Sequence, residues 1–161
     1  MSDKLQPILG EYNRKLDGKY RLTLPSEFDE QFKPEQGKCV IAKERPGCLS
    51  LWDADLWKNK INKRFDLILA KLDVGDLEHK TADLQRLGRL LSTRHKEIKL
   101  AERARVLLPE GFREFLGIEP GQEVMVVGAI RCIELWQPKK WFEYVEENIP
   151  EFGGLLETLS H

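Results

Sequence analysis

Apolar and polar positions alternate in short runs over most of the chain and switch to a helical period in the middle. Residues 1–7 are polar and read as loose, and Ile8 to Leu16 reads as a strand anchored by Leu9 and Tyr12. Asp17-Gly18 suits a tight turn, because Gly tolerates positive φ and Asp can bond the local backbone; the pattern predicts a β-hairpin whose return strand, Arg21 to Leu24, stops at Pro25. Ser26 with Asp29 three positions on predicts a short helix, with Phe28 and Phe32 on one face and Pro34 and Gly37 as breakers. Strands follow at Lys38 to Lys43 and Cys48 to Trp52, joined by Pro46-Gly47. Asp53 then caps a long helix whose stripe is Trp57, Ile61, Phe65, Ile68, Leu69 and Leu72. Gly75 breaks it, and a second helix from Asp76 to about Ser92 carries Leu77, Leu84, Leu87, Leu90 and Leu91, so the pair predicts an αα-hairpin.

The strand pattern then returns. Glu97 to Leu100 is a strand, Ala101 to Ala104 a tip, and Arg105 to Leu108 a return strand; a helix from Glu110 to Leu116 ends at Gly117. Strands at Val124 to Val127 and Cys132 to Trp136 complete the set. Pro138 opens a helix with Trp141, Tyr144 and Val145 on one side. Pro150 ends that helix, and the tail carries Phe152, Leu155, Leu156 and Leu159. Leu16, Arg21, Leu24, Pro25, Phe28, Glu30, Gly37, Val40, Cys48, Leu51, Trp52 and Trp57 all recur 84 positions later, from Leu100 to Trp141, with no gap. Chance would give roughly two such matches, and a fixed period marks a duplicated unit. The expected organisation is a first unit at 8–57, a linking helical hairpin at 54–92, a second unit at 94–148 and a tail at 149–161.

Composition narrows what the units can do. The chain has 161 residues, 41% hydrophobic and 33% charged, a net charge of −1 and a pI near 6.3. These values describe a globular protein, and any nucleic-acid surface must be local. Three Cys (Cys39, Cys48, Cys132) are too few and too odd for a disulfide framework; they read as small buried hydrophobes in a reducing compartment. No apolar run reaches the length of a membrane span and Met1-Ser2-Asp3-Lys4 does not read as a signal peptide, so a cytoplasmic location is expected. Asp17, Glu97 and Glu102 have no nucleophile or second acid at a useful spacing. Ser26 lacks a nucleophile-elbow context and the three His share no spacing. No enzyme activity, metal, cofactor or small-molecule substrate is expected.

The charges gather at the tips: Arg14, Lys15, Lys19 and Arg21 in one, Lys96, Lys99, Arg103 and Arg105 in the other. Such groups neutralise phosphates, and Arg can also bond guanine O6 and N7 together. Arg21 and Arg105 read equally well as ion-pair partners of Asp17 or Glu102 that hold the turn. Arg14, Lys15 and Lys19 could be simply solvated. The helix from Trp57 to Leu72 is basic through Lys58, Lys60, Lys63, Arg64 and Lys71, which reads as a solvated face or a partner surface.

Asp17-Gly18-Lys19-Tyr20-Arg21-Leu22-Thr23-Leu24-Pro25 resembles the DxxxR signature of the MraZ family, bacterial regulators with two AbrB-like units per chain. The two repeats, the Leu-Trp pairs and the intervening helices extend the likeness over nearly the whole chain. The resemblance implies an α+β fold: a duplicated AbrB-like swapped-hairpin β-barrel with an αα-hairpin between repeats and a C-terminal helix. It also implies ring-like homo-oligomers, double-stranded DNA as partner, sequence-specific regulation of transcription and a place at the nucleoid. Carried over by position, the DNA-contact set is Asp17, Arg21 and Arg105, and the tip cations Arg14, Lys15, Lys19, Lys99 and Arg103 support it. The chain departs from the signature at Tyr20 and Ala104, where the family has Gly, and at Ala101, where it has Asp. A second turn of different shape is therefore expected. The alternative reading is a ring-forming scaffold that has lost DNA recognition and uses the basic helix or apolar tail as its contact.

Overall fold

Alternation and turn residues put the strands where the sequence expects them, but half of them do not pair with a chain neighbour. The computed structural model describes residues 6–161; the first part of the loose segment expected at 1–7 lies outside them. In chain order the elements are β1 (Glu11–Lys15), β2 (Arg21–Thr23), β3 (Lys38–Arg45), β4 (Cys48–Asp53), α1 (Ala54–Asp73), α2 (Thr81–Arg94), β5 (His95–Lys99), β6 (Arg105–Leu107), α3 (Phe112–Leu116), β7 (Glu123–Gly128), β8 (Ile133–Trp136), α4 (Pro138–Asn148) and α5 (Phe152–Ser160). A six-stranded sheet runs in the order β1-β7-β8-β4-β3-β5, and a two-stranded ribbon pairs β2 with β6.

The hairpin expected at Asp17-Gly18 is therefore exchanged between the repeats. The local reversal is confined to two backbone bonds, from the Asp17 N–H to the Arg21 carbonyl at 3.0 Å and from the Tyr20 N–H to the Asp17 carbonyl at 3.1 Å. Beyond it β1 crosses to β7 and β2 to β6, while β5 crosses back to β3. The reason lies in β3 and β7. Both carry a continuous buried run, Cys39–Ala42 and Val124–Val127, whose backbone groups must be paired because water cannot reach them. The half-exposed strands β1 and β5 supply that pairing. The ribbon then faces the sheet across one core: Leu22, Leu24, Val106 and Leu108 meet Ile41, Leu49, Leu51, Val126, Ile133 and Leu135, with Phe28 and Phe112 beside them.

A pseudo-two-fold axis organises the whole. Leu22 pairs with Val106, and Ser50 pairs with Glu134; each is opposite its own repeat mate. The axis thus enters between Ser50 and Glu134, crosses the core and leaves through the ribbon. Two identities in the gap-free alignment are out of structural register. Val124 faces the central core, whereas Val40 faces the other way onto Trp57. Leu16 donates its N–H to Gln122 and Leu100 donates to Gly37, so Gly37 matches Gln122 and Gln36 (φ 55°) matches Gly121 (φ 88°). A one-residue slip turns a strand over, and a bulge between Lys43 and Arg45 restores the common offset before β4.

Helices cover the outer face. Asp53 caps α1 by accepting the Asp55 N–H at 2.9 Å, and Pro138 opens α4, both as expected. Trp57 of α1 packs on Trp52 at 5.6 Å, and Trp141 of α4 packs on Trp136 at 5.3 Å. Between them, on the axis, Trp52 Nε1 donates to Ser50 Oγ, Ser50 to Glu44, and Trp136 Nε1 to Glu134. Burial pushes the Glu134 carboxyl upward. All three thiols are buried, and desolvation raises those of Cys39 and Cys132 to about 12 and that of Cys48 as well. Among the described residues no helix is long and apolar enough to cross a membrane.

Several details differ from the sequence pattern. Ser26–Phe28 forms only a 3-10 turn, and the Ser26 side chain makes no cap. The second helix of the αα-hairpin begins at Thr81 and extends to Arg94, and α3 begins at Phe112. Leu9 is exposed, since the chain turns at Gly10 before entering β1. His95 lies edge-on to Trp57 at 5.2 Å, and its buried Nδ1 has no partner among the described residues.

Two outcomes follow. Leu22→Ala removes a fully buried side chain on the axis and is expected to lower the unfolding free energy by about 3 kcal/mol in urea titration. Burial, and then Arg94, depress the His95 pKa below 6.5. The unfolded chain therefore takes up a proton that the folded one resists, and stability falls as pH drops through the unfolded value. His95→Phe is expected to flatten the decline between pH 7 and 5 measured by thermal unfolding.

Candidate nucleic-acid interface

The first tip is built by one carboxylate. Asp17 Oδ1 accepts the N–H groups of Lys19 (2.8 Å) and Arg21 (2.9 Å), and Oδ2 accepts Arg21 Nε at 2.9 Å. The Arg21 backbone bond is the main reason the Asp17 carboxyl sits below its ordinary pKa, with Lys19 and the Arg21 side chain adding to it. The ion-pair reading of Arg21 is thus met: its Nε is committed to the turn. Tyr20 closes the turn at φ 59°, and its ring lies beneath the Arg113 guanidinium at 3.8 Å.

The second tip reaches a similar place by another route. Ala101 offers no carboxylate, and the backbone bends through two successive left-handed residues, Arg103 (φ 62°) and Ala104 (φ 52°). Arg105 Nε donates to the Glu102 backbone carbonyl at 3.2 Å and makes no ion pair among the described residues. The tips are fastened to opposite ends of the same ribbon. Leu108 N–H donates to the Tyr20 carbonyl at 2.9 Å, and Leu24 N–H donates to the Ala104 carbonyl at 3.0 Å.

Ribbon register brings the two arginines together. Arg21 is opposite Leu107 and Thr23 is opposite Arg105. Because Leu22 and Val106 point into the core, these four side chains share the outer face. Sequence reasoning had singled out Arg21 and Arg105 but missed Thr23 and Leu107. The period-two run Arg21-Leu22-Thr23-Leu24 carried that signal. Arg14 and Lys15 end β1 and Lys99 ends β5, while Lys19 and Arg103 stand on the tips themselves. Arg14 approaches Glu27 at 3.8 Å. A groove of about 520 Å³ joins Arg14, Thr23 and Ser26 of the first repeat to Arg103 of the second. The equivalent place across the axis holds Ile98, Leu107 and Glu110 beside the stacked Tyr20–Arg113 pair. The two halves of the face are therefore chemically unequal.

The basic stretch of α1 is partly engaged elsewhere: Lys58 pairs with Glu97 at 3.4 Å and Lys60 stands over the Trp52 ring at 4.6 Å. Among the described residues no three His, Cys, Asp or Glu side chains converge as metal ligands.

The turn backbones yield a measurable contrast. A non-glycine residue in the left-handed region costs about 1–2 kcal/mol, part of which Gly recovers. Ala104→Gly is expected to stabilise the chain by roughly 0.5–1 kcal/mol. Tyr20→Gly is expected to give no such gain, because it removes the ring beneath Arg113. Chemical denaturation of the two variants checks both.

Comparison with known proteins finds relatives that match this chain over nearly its whole length. A family model described as "MraZ protein, putative antitoxin-like" matches residues 8–73 and 93–152, one match on each repeat. A protein named transcriptional regulator MraZ from Clostridium beijerinckii is 29% identical over 153 residues, covering 95% of this chain and 96% of its own length. Its namesake from Syntrophomonas wolfei is 30% identical over 152 residues, covering 94% and 96%. One from Thermus thermophilus is 30% identical over 138 residues, covering 86% and 87%. Matched in both repeats and nearly end to end, the chain belongs to the MraZ family.

Proposed function

We propose that this chain is a sequence-specific DNA-binding regulator of transcription that works at the nucleoid as a ring-like homo-oligomer. One observation carries the reading: the ribbon presents Arg21, Thr23, Arg105 and Leu107 on a single outer face flanked by two basic tips. A two-stranded ribbon fits the major groove, where Arg reads guanine and an apolar group meets the thymine methyl. Arg21 and Arg105 contact base edges in this reading. Arg14, Lys15, Lys19, Lys99 and Arg103 neutralise phosphates, and Asp17 aims Arg21 from behind without touching DNA. The names of the relatives point the same way. A subunit of net charge −1 has little long-range attraction for DNA. Several copies that present their tips to spaced sites raise the effective concentration of each weak contact.

The test is selection of bound duplexes from a randomised pool, followed by binding at several salt concentrations. Arg105→Ala is expected to weaken binding by about 10- to 100-fold and relax one base position, as loss of a bidentate arginine does. Lys19→Ala is expected to lower the slope of log affinity against log salt by about one. Arg21→Ala is expected to weaken binding with the fold and assembly intact. Unchanged affinity in Arg105→Ala and Lys19→Ala together, or no enriched site, would overturn the reading in favour of a scaffold.

A further inference from the structure

Two apolar helical surfaces of this chain stand without a partner. The 20-residue α1 is about 30 Å long at 1.5 Å per residue, yet it packs on the sheet only through Ala54, Trp57 and Ile61. Beyond Arg64 its stripe projects past the sheet, and Phe65, Leu69 and Leu72 are 37%, 44% and 42% exposed. No residue of α2 is buried, and Leu90 is 52% exposed. Ile68 of α1 and Leu84, Leu87 and Leu91 of α2 are only half-buried, and no further layer covers this arm among the described residues. At the other end of the chain, α5 places Phe152, Leu155, Leu156 and Leu159 on one stripe, each at least 59% exposed. A nine-residue helix containing Gly153 and Gly154 is too short to persist alone in water.

Charge selects the occupant. Residues 142–161 carry Glu143, Glu146, Glu147, Glu151 and Glu157 with no Lys or Arg. The arm, residues 54–94, carries nine Lys or Arg against six Asp or Glu, and Lys63, Arg64, Lys71, Arg86 and Arg89 border its exposed apolar positions. Of these carboxylates only Glu157 lies on α5, and the rest lead into it on α4 and the turn that follows. Pairing two such acidic ends would set like charges together, whereas pairing one with the net-basic arm sets acid against base. The pseudo-two-fold axis that carries α1 onto α4 sends the two helices across the sheet in opposite directions. The arm and α5 of one chain thus leave from opposite sides.

We infer that α5 of one copy seats on the α1–α2 arm of a second copy and completes a three-helix bundle. The contact joins two different surfaces head to tail, so every copy offers both halves. It gives the assembly part of the proposed function its surfaces and does not depend on the DNA part.

Light scattering of the full chain at about 10 µM tests it. The wild type is expected to be larger than a dimer. Leu156→Glu in α5 and Leu69→Glu in the arm each remove one half, and each alone is expected to be monomeric with an unchanged circular dichroism spectrum. Mixed in equal amounts, they retain one good half each and are expected to form a dimer and nothing larger. If Leu69→Glu fails to fold, Leu90→Glu takes its place on the same arm. A monomeric wild type would overturn both this contact and the assembly reading. An assembled wild type whose size neither variant alters, or a mixture that stays monomeric, would overturn the contact alone.

Discussion

The structure depends on the exchange of strands between repeats, centred on the Leu22–Val106 pair. Neither repeat can close its own core. The first lends β1 and β2 to the second and receives β5 and β6 in return. Because Leu22 and Val106 are fully buried opposite one another, the ribbon can sit in only one register. A slip of one residue would expose both and bring Arg21 or Thr23 into the core. The register that satisfies packing is also the one that brings Arg21 and Arg105 onto a common face.

The two tips show how divergent sequence can reach related backbone geometry. In the first, Asp17 gathers two N–H groups and one guanidinium, and a single left-handed residue completes the turn. In the second, with Ala101 in place of the carboxylate, the backbone turns through Arg103 and Ala104 in succession. The side chains around them have diverged further. Tyr20 and Arg113 fill one flank, and Arg14, Arg103, Thr23 and Ser26 leave an open polar groove on the other. A pseudo-symmetric scaffold thus presents an asymmetric surface.

The axis also divides the molecule into two poles. At one it emerges through the arginine-bearing ribbon; at the other it emerges between Ser50 and Glu134, where the tryptophan pairs seat α1 and α4. The surface proposed for nucleic acid and the helices proposed for self-association therefore need not compete. The last twenty residues add five carboxylates and no Lys or Arg, which helps to bring the whole chain near neutrality.

Much of this architecture was legible in the chain because it rests on local signals. The 84-residue period revealed the duplication, Asp53 and Pro138 marked helix starts, and the 3.6-residue stripe marked α1. The acidic residue four positions before Arg21 also suggested the ion pair that forms there. Partners were not legible in the local pattern; the family resemblance alone implied that the hairpins are swapped. A hairpin-like sequence at Asp17-Gly18 is equally compatible with strands that pair locally or exchange, and only the buried backbones of β3 and β7 decide between them. The compensating shifts at Gln36 and Lys43–Arg45 were hidden because they cancel in the alignment, and Thr23 and Leu107 drew no notice because neither is charged. The sequence by itself determined the repeat, the elements and the residues that carry charge, since propensity and periodicity act over a few positions. Tertiary structure alone decided which strands meet, and hence which charges share a face, because burial is satisfied only by the whole chain.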